Sequence, residues 1–109
     1  MHELSIANGI VEICAARAGA ARVTRVRLEI GRLSAVLPEA VRFCFDVCAR
    51  DTVVQGALLE IIETKGLARC RDCGGEVPLV RLAGRCRCGS ANLCVIAGEE
   101  LKVREMEIA

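Results

Sequence analysis

The stretch CRDCGGEVPLVRLAGRCRCGS constrains this chain more than any other. Cys70 and Cys73 form a C-x-x-C pair, Cys86 and Cys88 form a C-x-C pair, and twelve residues separate them. A glycine follows each pair, at 74 and 89, where the chain can turn back and bring backbone amides toward the sulfurs. Two such knuckles facing each other supply four thiolates in a tetrahedron, the geometry and softness that favour zinc. With every position filled by protein there is no place for a reactive water, so the expected site is structural. The second pair is one residue tighter than the usual C-x-x-C.

Other roles for this stretch are weaker. Cys94 is the alternative fourth ligand, but it lies in the apolar run LCVIAG, where a packed thiol is the simpler reading. A thioredoxin-like redox pair needs a helix directly after its C-x-x-C, and GGEVP after Cys73 is poor helix sequence. Arg69, Arg71, Arg81, Arg85 and Arg87 crowd the region. Four thiolates on a divalent cation carry a surplus of negative charge that these arginines can offset, which competes with a phosphate-binding role.

The chain has 109 residues, enough for one small domain carrying a smaller insert, and a bound metal would help to stabilise so modest a core. Net charge is +1, with two Phe and neither Tyr nor Trp. Such a chain has neither the phosphate-binding field nor the base-stacking platforms of a nucleic-acid binder. No run has the length and apolarity of a membrane span, and the N-terminus lacks the features of a signal peptide. A cytoplasmic location is expected, where eight cysteines are metal ligands or buried hydrophobes before they are disulfides.

Periodicity supplies the scaffold. Leu4, Ala7, Ile10, Val11 and Cys14 recur at helical spacing and predict a helix from Leu4 to about Ala18, closed near Gly19. VTRVRLEIG alternates, with Val26, Leu28 and Ile30 on one side and Arg25, Arg27 and Glu29 on the other, as in a strand with one wet face. Pro38 suits a first helical turn, and Leu37, Val41, Cys44, Phe45 and Cys48 follow on one expected face. Cys44 and Cys48, like Cys14, are read as core thiols. ALLEIIET reads as a strand. The closing EELKVREMEI alternates through Leu101 and Val103, then resumes out of phase at Met106 and Ile108, so a bulge near Arg104 and Glu105 is expected. The fold class is therefore α+β: a three-stranded sheet with two helices on one face, interrupted by a small β-rich, zinc-ribbon-like module. The expected boundaries are 1–66 and 98–109 for the larger domain and 67–97 for the cysteine module.

The chain begins MHELSI, and His2 is its only histidine. A polar terminus without a role is the plain reading. The chemistry supports more: the amine of Met1, the His2 amide nitrogen and the His2 ring can close adjacent chelate rings on one metal, with Glu3 beside them. That nitrogen-rich set suits nickel or copper. The chain lacks a catalytic Ser/His/Asp or Cys/His set and a glycine-rich phosphate loop, so a carrier is expected and not an enzyme. The competing function is a zinc-ribbon adapter that binds RNA or protein through its arginines.

MHELSIANGIVEIC, VRLEIGRLSAVLPEAVRFCFDV, the inserted cysteine module and the closing GEELKVREMEI, in that order, resemble the HypA/HybF family of nickel-iron hydrogenase maturation factors. The resemblance covers essentially the whole chain. It implies a nickel metallochaperone with His2 as the principal nickel ligand and Glu3 as its neighbour, joined to a structural zinc domain. It further implies partnership with the GTPase HypB and delivery to the hydrogenase large-subunit precursor, and it leaves homodimerisation open. Glu39, near the start of the second helix, is a further candidate nickel ligand.

Overall fold

The computed structural model describes residues 2–109, the side chain of His2 excepted. The elements run α1 (His2–Ala18), β1 (Val23–Gly31), α2 (Pro38–Ala49), β2 (Leu58–Thr64), β3 (Gly66–Cys70), β4 (Glu76–Leu79), β5 (Leu93–Ala97) and β6 (Leu101–Ile108). They form two three-stranded sheets, ordered β2-β1-β6 and β4-β3-β5. The expected class is therefore present, with the cysteine module's strands making a sheet of their own. Among the described residues no helix is long and apolar enough to cross a membrane.

The chain divides into two compact units. One comprises Met1–Glu29, Val36–Ile62 and Lys102–Ala109; the other comprises Ile30–Ala35 and Glu63–Leu101.

In the first unit α1 packs on α2. Ala7, Ile10, Val11 and Cys14 are buried on α1, and Val41, Phe45 and Ala49 on α2, each set at spacings of three or four. Val26 and Leu28 of β1 are fully buried, whereas Arg25 and Arg27, which alternate with them, are part-exposed. The helices thus cover one face of the sheet and leave the other to charge. Two details differ from expectation. The first helix starts at His2, two residues earlier than Leu4. Leu37 is 65% exposed, because it stands outside α2 as the N-cap, and Ala49 completes the buried stripe in its place.

The wet face of β1 is laced to both neighbouring strands. Arg25 and Arg27 both reach Glu60 of β2, at 2.9 and 3.4 Å. Toward β6, Arg25 meets Glu107 at 3.6 Å, Arg27 meets Glu105 at 3.3 Å, and Glu29 meets Arg104 at 3.0 Å. Partner numbers fall along β6 as they rise along β1, so these strands are antiparallel. Arg104 and Glu105 are sequence neighbours, yet both point to the charged face. A regular strand would send them to opposite sides, so the irregularity expected from the phase change is where the hydrophobic pattern placed it.

In the second unit β3 is central and antiparallel to both partners, pairing Ala68 with Val77 on β4 and with Val95 on β5. Its small core is Leu33, Ala68 and Leu79, with Val77, Leu93 and Val95 packed against it. Leu33 comes from the 30–35 segment, whose amide donates to the Gly98 carbonyl at 2.6 Å. Gly98 holds φ +108, and a Cβ there would stand 2.6 Å from the Gly66 Cα, so only glycine fits this crossing of backbones.

Candidate metal centre

The second unit holds the cysteines. β3 delivers Cys70 at its last residue, and the chain immediately reverses: the Cys70 amide donates to the Gly75 carbonyl at 2.8 Å and the Gly74 amide to the Cys70 carbonyl at 2.9 Å. The second knuckle repeats the device, with Gly89 N–H to the Cys86 carbonyl and Cys86 N–H to the Ser90 carbonyl, both 2.9 Å. Gly74 and Gly89 take φ of +78 and +91, the left-handed conformation these reversals require.

The sulfurs of Cys70, Cys73, Cys86 and Cys88 all lie within 4.8 Å of one another. Across the two knuckles Cys73 stands 3.4 Å from Cys86 and Cys70 stands 3.7 Å from Cys88. Sulfurs placed about 2.3 Å from a tetrahedral zinc are separated by about 3.8 Å, so the cluster has the dimensions zinc requires. The tight C-x-C does not prevent this closure. Cys94, on β5, is outside the cluster, with its sulfur 4.0 Å from the Val95 carbonyl.

Backbone donors grade the acidity of the thiols. Cys70 is lowered to about 6, first by the Cys73 amide, against desolvation, with help from the Asp72 amide and the Cys88 and Cys73 thiols. Cys88 is pushed up to about 12: the Ser90 amide favours its thiolate, but the neighbouring Cys70, desolvation, Cys86 and Cys73 outweigh it. Cys73 moves up too, the Gly75 amide opposing and Cys86 and Cys70 raising it. One thiolate therefore forms readily, and a divalent cation must displace the protons that remain.

Two residues that sequence reasoning did not single out join the knuckles. The Ser90 hydroxyl donates to the Asp72 carboxylate and its oxygen accepts from the Asn92 amide at 3.0 Å. Asp72 lies inside the first pair and Ser90 just beyond the second, so their proximity to the ligands was the only available signal. Of the arginines, Arg69 reaches Glu76 at 3.3 Å and Arg85 donates to the Gly89 carbonyl at 2.9 Å. A cavity of about 930 Å³ adjoins the cluster, lined by Cys73, Cys86 and Cys88 together with Val77, Pro78 and Arg87.

The remaining thiols belong to the first unit. Cys14 is fully buried, and desolvation pushes its pKa up against the opposing charge of Arg17. Cys48 is raised by desolvation and then by Cys44, one helical turn away.

Of the candidate nickel ligands, Met1 and the His2 side chain lie outside the described residues. Glu3 is described: its carboxylate accepts from the Leu37 amide at 3.2 Å. Glu39 is exposed.

A family profile described as HypA, hydrogenase/urease nickel incorporation, metallochaperone, matches residues 1–108. A HypA hydrogenase maturation factor from Nostoc punctiforme is 56% identical over 108 residues, covering 99% of this chain and 96% of that protein. Another, from Geotalea uraniireducens, is 50% identical over 109 residues and covers 99% of each. Among solved structures, a HypA protein in solution superposes with TM-score 0.73 at 27% identity, over 100% of this chain and 97% of the other. The nickel metallochaperone HypA from Helicobacter pylori gives 0.70 at 26% identity, over 97% and 96%.

Proposed function

This chain belongs to the HypA family of nickel-incorporating metallochaperones, and from that premise we propose that it binds Ni(II) at its N-terminus and delivers it for maturation of a nickel-iron hydrogenase. The observation that carries the reading is the span of the match, residues 1–108, which takes in both the MHE start and the four-cysteine cluster. Nickel is cargo here, and zinc is the resident metal.

The first unit, which takes in most of the expected 1–66 and 98–109, serves as the nickel-binding domain, and the second, which holds the expected 67–97 together with 30–35, 63–66 and 98–101, as the zinc-binding domain. Cys70, Cys73, Cys86 and Cys88 hold zinc, which ties the two knuckles together and adds binding energy to the folding of a unit with a small apolar core. His2 is the principal nickel ligand, with the Met1 amine and the Glu3 neighbourhood completing the site. The helical start at His2 supports this, because the first amides of a helix have no intrahelical acceptor. Nitrogen donors of this kind suit nickel. As pH falls below about 6, protonation of the imidazole competes with the metal.

The protein acts as a carrier in the cytoplasm and not as an enzyme. Its partners are the GTPase HypB, which would supply nucleotide hydrolysis, and the hydrogenase large-subunit precursor; nucleic acid and membrane are not among them. The test is calorimetric titration of nickel into zinc-loaded, untagged protein and its His2→Ala variant. Wild type is expected to bind one nickel, and His2→Ala to lose that binding with zinc content unchanged. Equal affinities would return His2 to an ordinary terminus and favour a zinc-ribbon adapter.

A further inference from the structure

We propose that Glu3 serves the nickel-binding terminus as a positioning residue, and not as a carboxylate ligand, by tying the first turn of α1 to the backbone that opens α2. The inference rests on the nickel reading above and specifies one part of that site. Its starting point is the 3.2 Å hydrogen bond from the Leu37 amide to the Glu3 carboxylate, which spans 34 residues of sequence.

Helix α2 needs such a partner. Leu37 is its N-cap, with extended φ and ψ of −87° and 113°, and its carbonyl already accepts the first helical bond, from the Val41 amide at 3.1 Å. A leucine side chain cannot cap, and the structure has no side-chain cap from that residue. Pro38 follows as the first helical residue and carries no amide hydrogen. Of the amides left without an intrahelical acceptor at this end, those of Leu37, Glu39 and Ala40, the Glu3 carboxylate takes that of Leu37, and its charge complements the positive end of α2. Glu3 also lies in the first turn of α1, where its charge is favourable for the same reason.

The consequence for the metal is geometric. A carboxylate engaged in this bond fixes the backbone of residue 3 against a second element, one peptide unit from His2. Chelation by a chain terminus is costly when that terminus must first be ordered, and an anchor at the adjacent residue removes part of the cost. Partners that orient metal ligands in this way typically contribute about 10- to 100-fold to affinity.

Nickel titrations and absorption spectra of zinc-loaded, untagged protein test the assignment in Glu3→Gln, Glu3→Ala and Leu37→Pro. The glutamine amide oxygen can still accept from Leu37, so Glu3→Gln is expected within about threefold of wild type. Glu3→Ala removes the acceptor and Leu37→Pro the donor; each is expected to weaken nickel by about tenfold or more, with the absorption bands in place and no additivity in the double variant. If Leu37→Pro does not fold, the contrast between Glu3→Gln and Glu3→Ala still decides. Equal loss in both, with displaced absorption bands, would make Glu3 a ligand. Wild-type affinity in Glu3→Ala would remove any role. The His2→Ala arm separates the two ideas: wild-type binding there overturns the terminal nickel site itself, whatever Glu3 does.

Discussion

The Arg104 guanidinium stands 3.0 Å from the carboxylate of Glu29, on the face of the first sheet that the helices leave uncovered. Glu29 is the more buried partner, with its side chain 12% exposed against 56% for Arg104, and Lys102 approaches the same oxygen at 4.0 Å. Solvent screening of the exposed arginine keeps the pair weak, so its coupling in a double-mutant cycle of Glu29→Ala and Arg104→Ala is expected to be about 0.5–1 kcal/mol. Urea denaturation of the four proteins measures it. A coupling that persists undiminished in 1 M salt would contradict a surface ion pair.

Zinc content should follow the sulfur cluster. Purified protein is expected to contain one zinc per chain, and Ala at Cys70, Cys73, Cys86 or Cys88 should lose the metal or hold it much more weakly, since affinity and folding of the unit are linked. Cys94→Ala and Cys14→Ala should retain it. Elemental analysis after dialysis against a chelator reads the outcome, and loss of zinc in Cys94→Ala alone would reassign the ligands.

Cys70, although buried, should ionise ahead of Cys73 and Cys88 in the metal-free protein as pH rises. Its pKa is lowered from 9.0 to about 6, chiefly by the Cys73 amide, whereas Cys88 is raised to about 12. Thiolate absorbance followed through a pH titration of metal-free wild type and Cys70→Ala should therefore show a transition near pH 6 that the variant lacks. The linkage has a definite sign. A depressed thiol pKa contributes stability that is present above pH 9 and lost as pH falls through about 6. The same titration curve in wild type and Cys70→Ala below about pH 8 would mean that the knuckles do not persist without metal.

Gly98→Ala should destabilise the second unit by about 3 kcal/mol, from a strained positive φ together with overpacking against the Gly66 backbone. Gly9→Ala is the contrast, because a Cβ there meets nothing within 4 Å and alanine is the better helix former. Thermal unfolding of zinc-loaded protein should show opposite shifts for the two variants.

The elements were legible because their signals are local. Periods of two and of three to four residues marked β1, α1 and α2, and the phase change in EELKVREMEI located the irregularity that puts Arg104 and Glu105 on one face. Pairs of cysteines with following glycines specified the knuckles, since a C-x-x-C or C-x-C brings two sulfurs together through a single tight turn. The family was legible too, from motifs in a fixed order.

What tertiary structure alone decided involves residues far apart in the chain, for which spacing carries no information. The 30–35 segment contributes Leu33 to the core beside Ala68 and Leu79, although its sequence reads as the end of a strand and a loop. Ser90 clasps Asp72 across eighteen residues, and Glu3 receives the Leu37 amide across thirty-four. Leu37 itself has the hydropathy of a core residue and stands exposed, because the cap it forms turns it away from the helix face its neighbours bury. Local sequence specifies what each segment prefers to be; which donor meets which acceptor is settled only when packed segments bring them within about 3 Å, where a hydrogen bond can form.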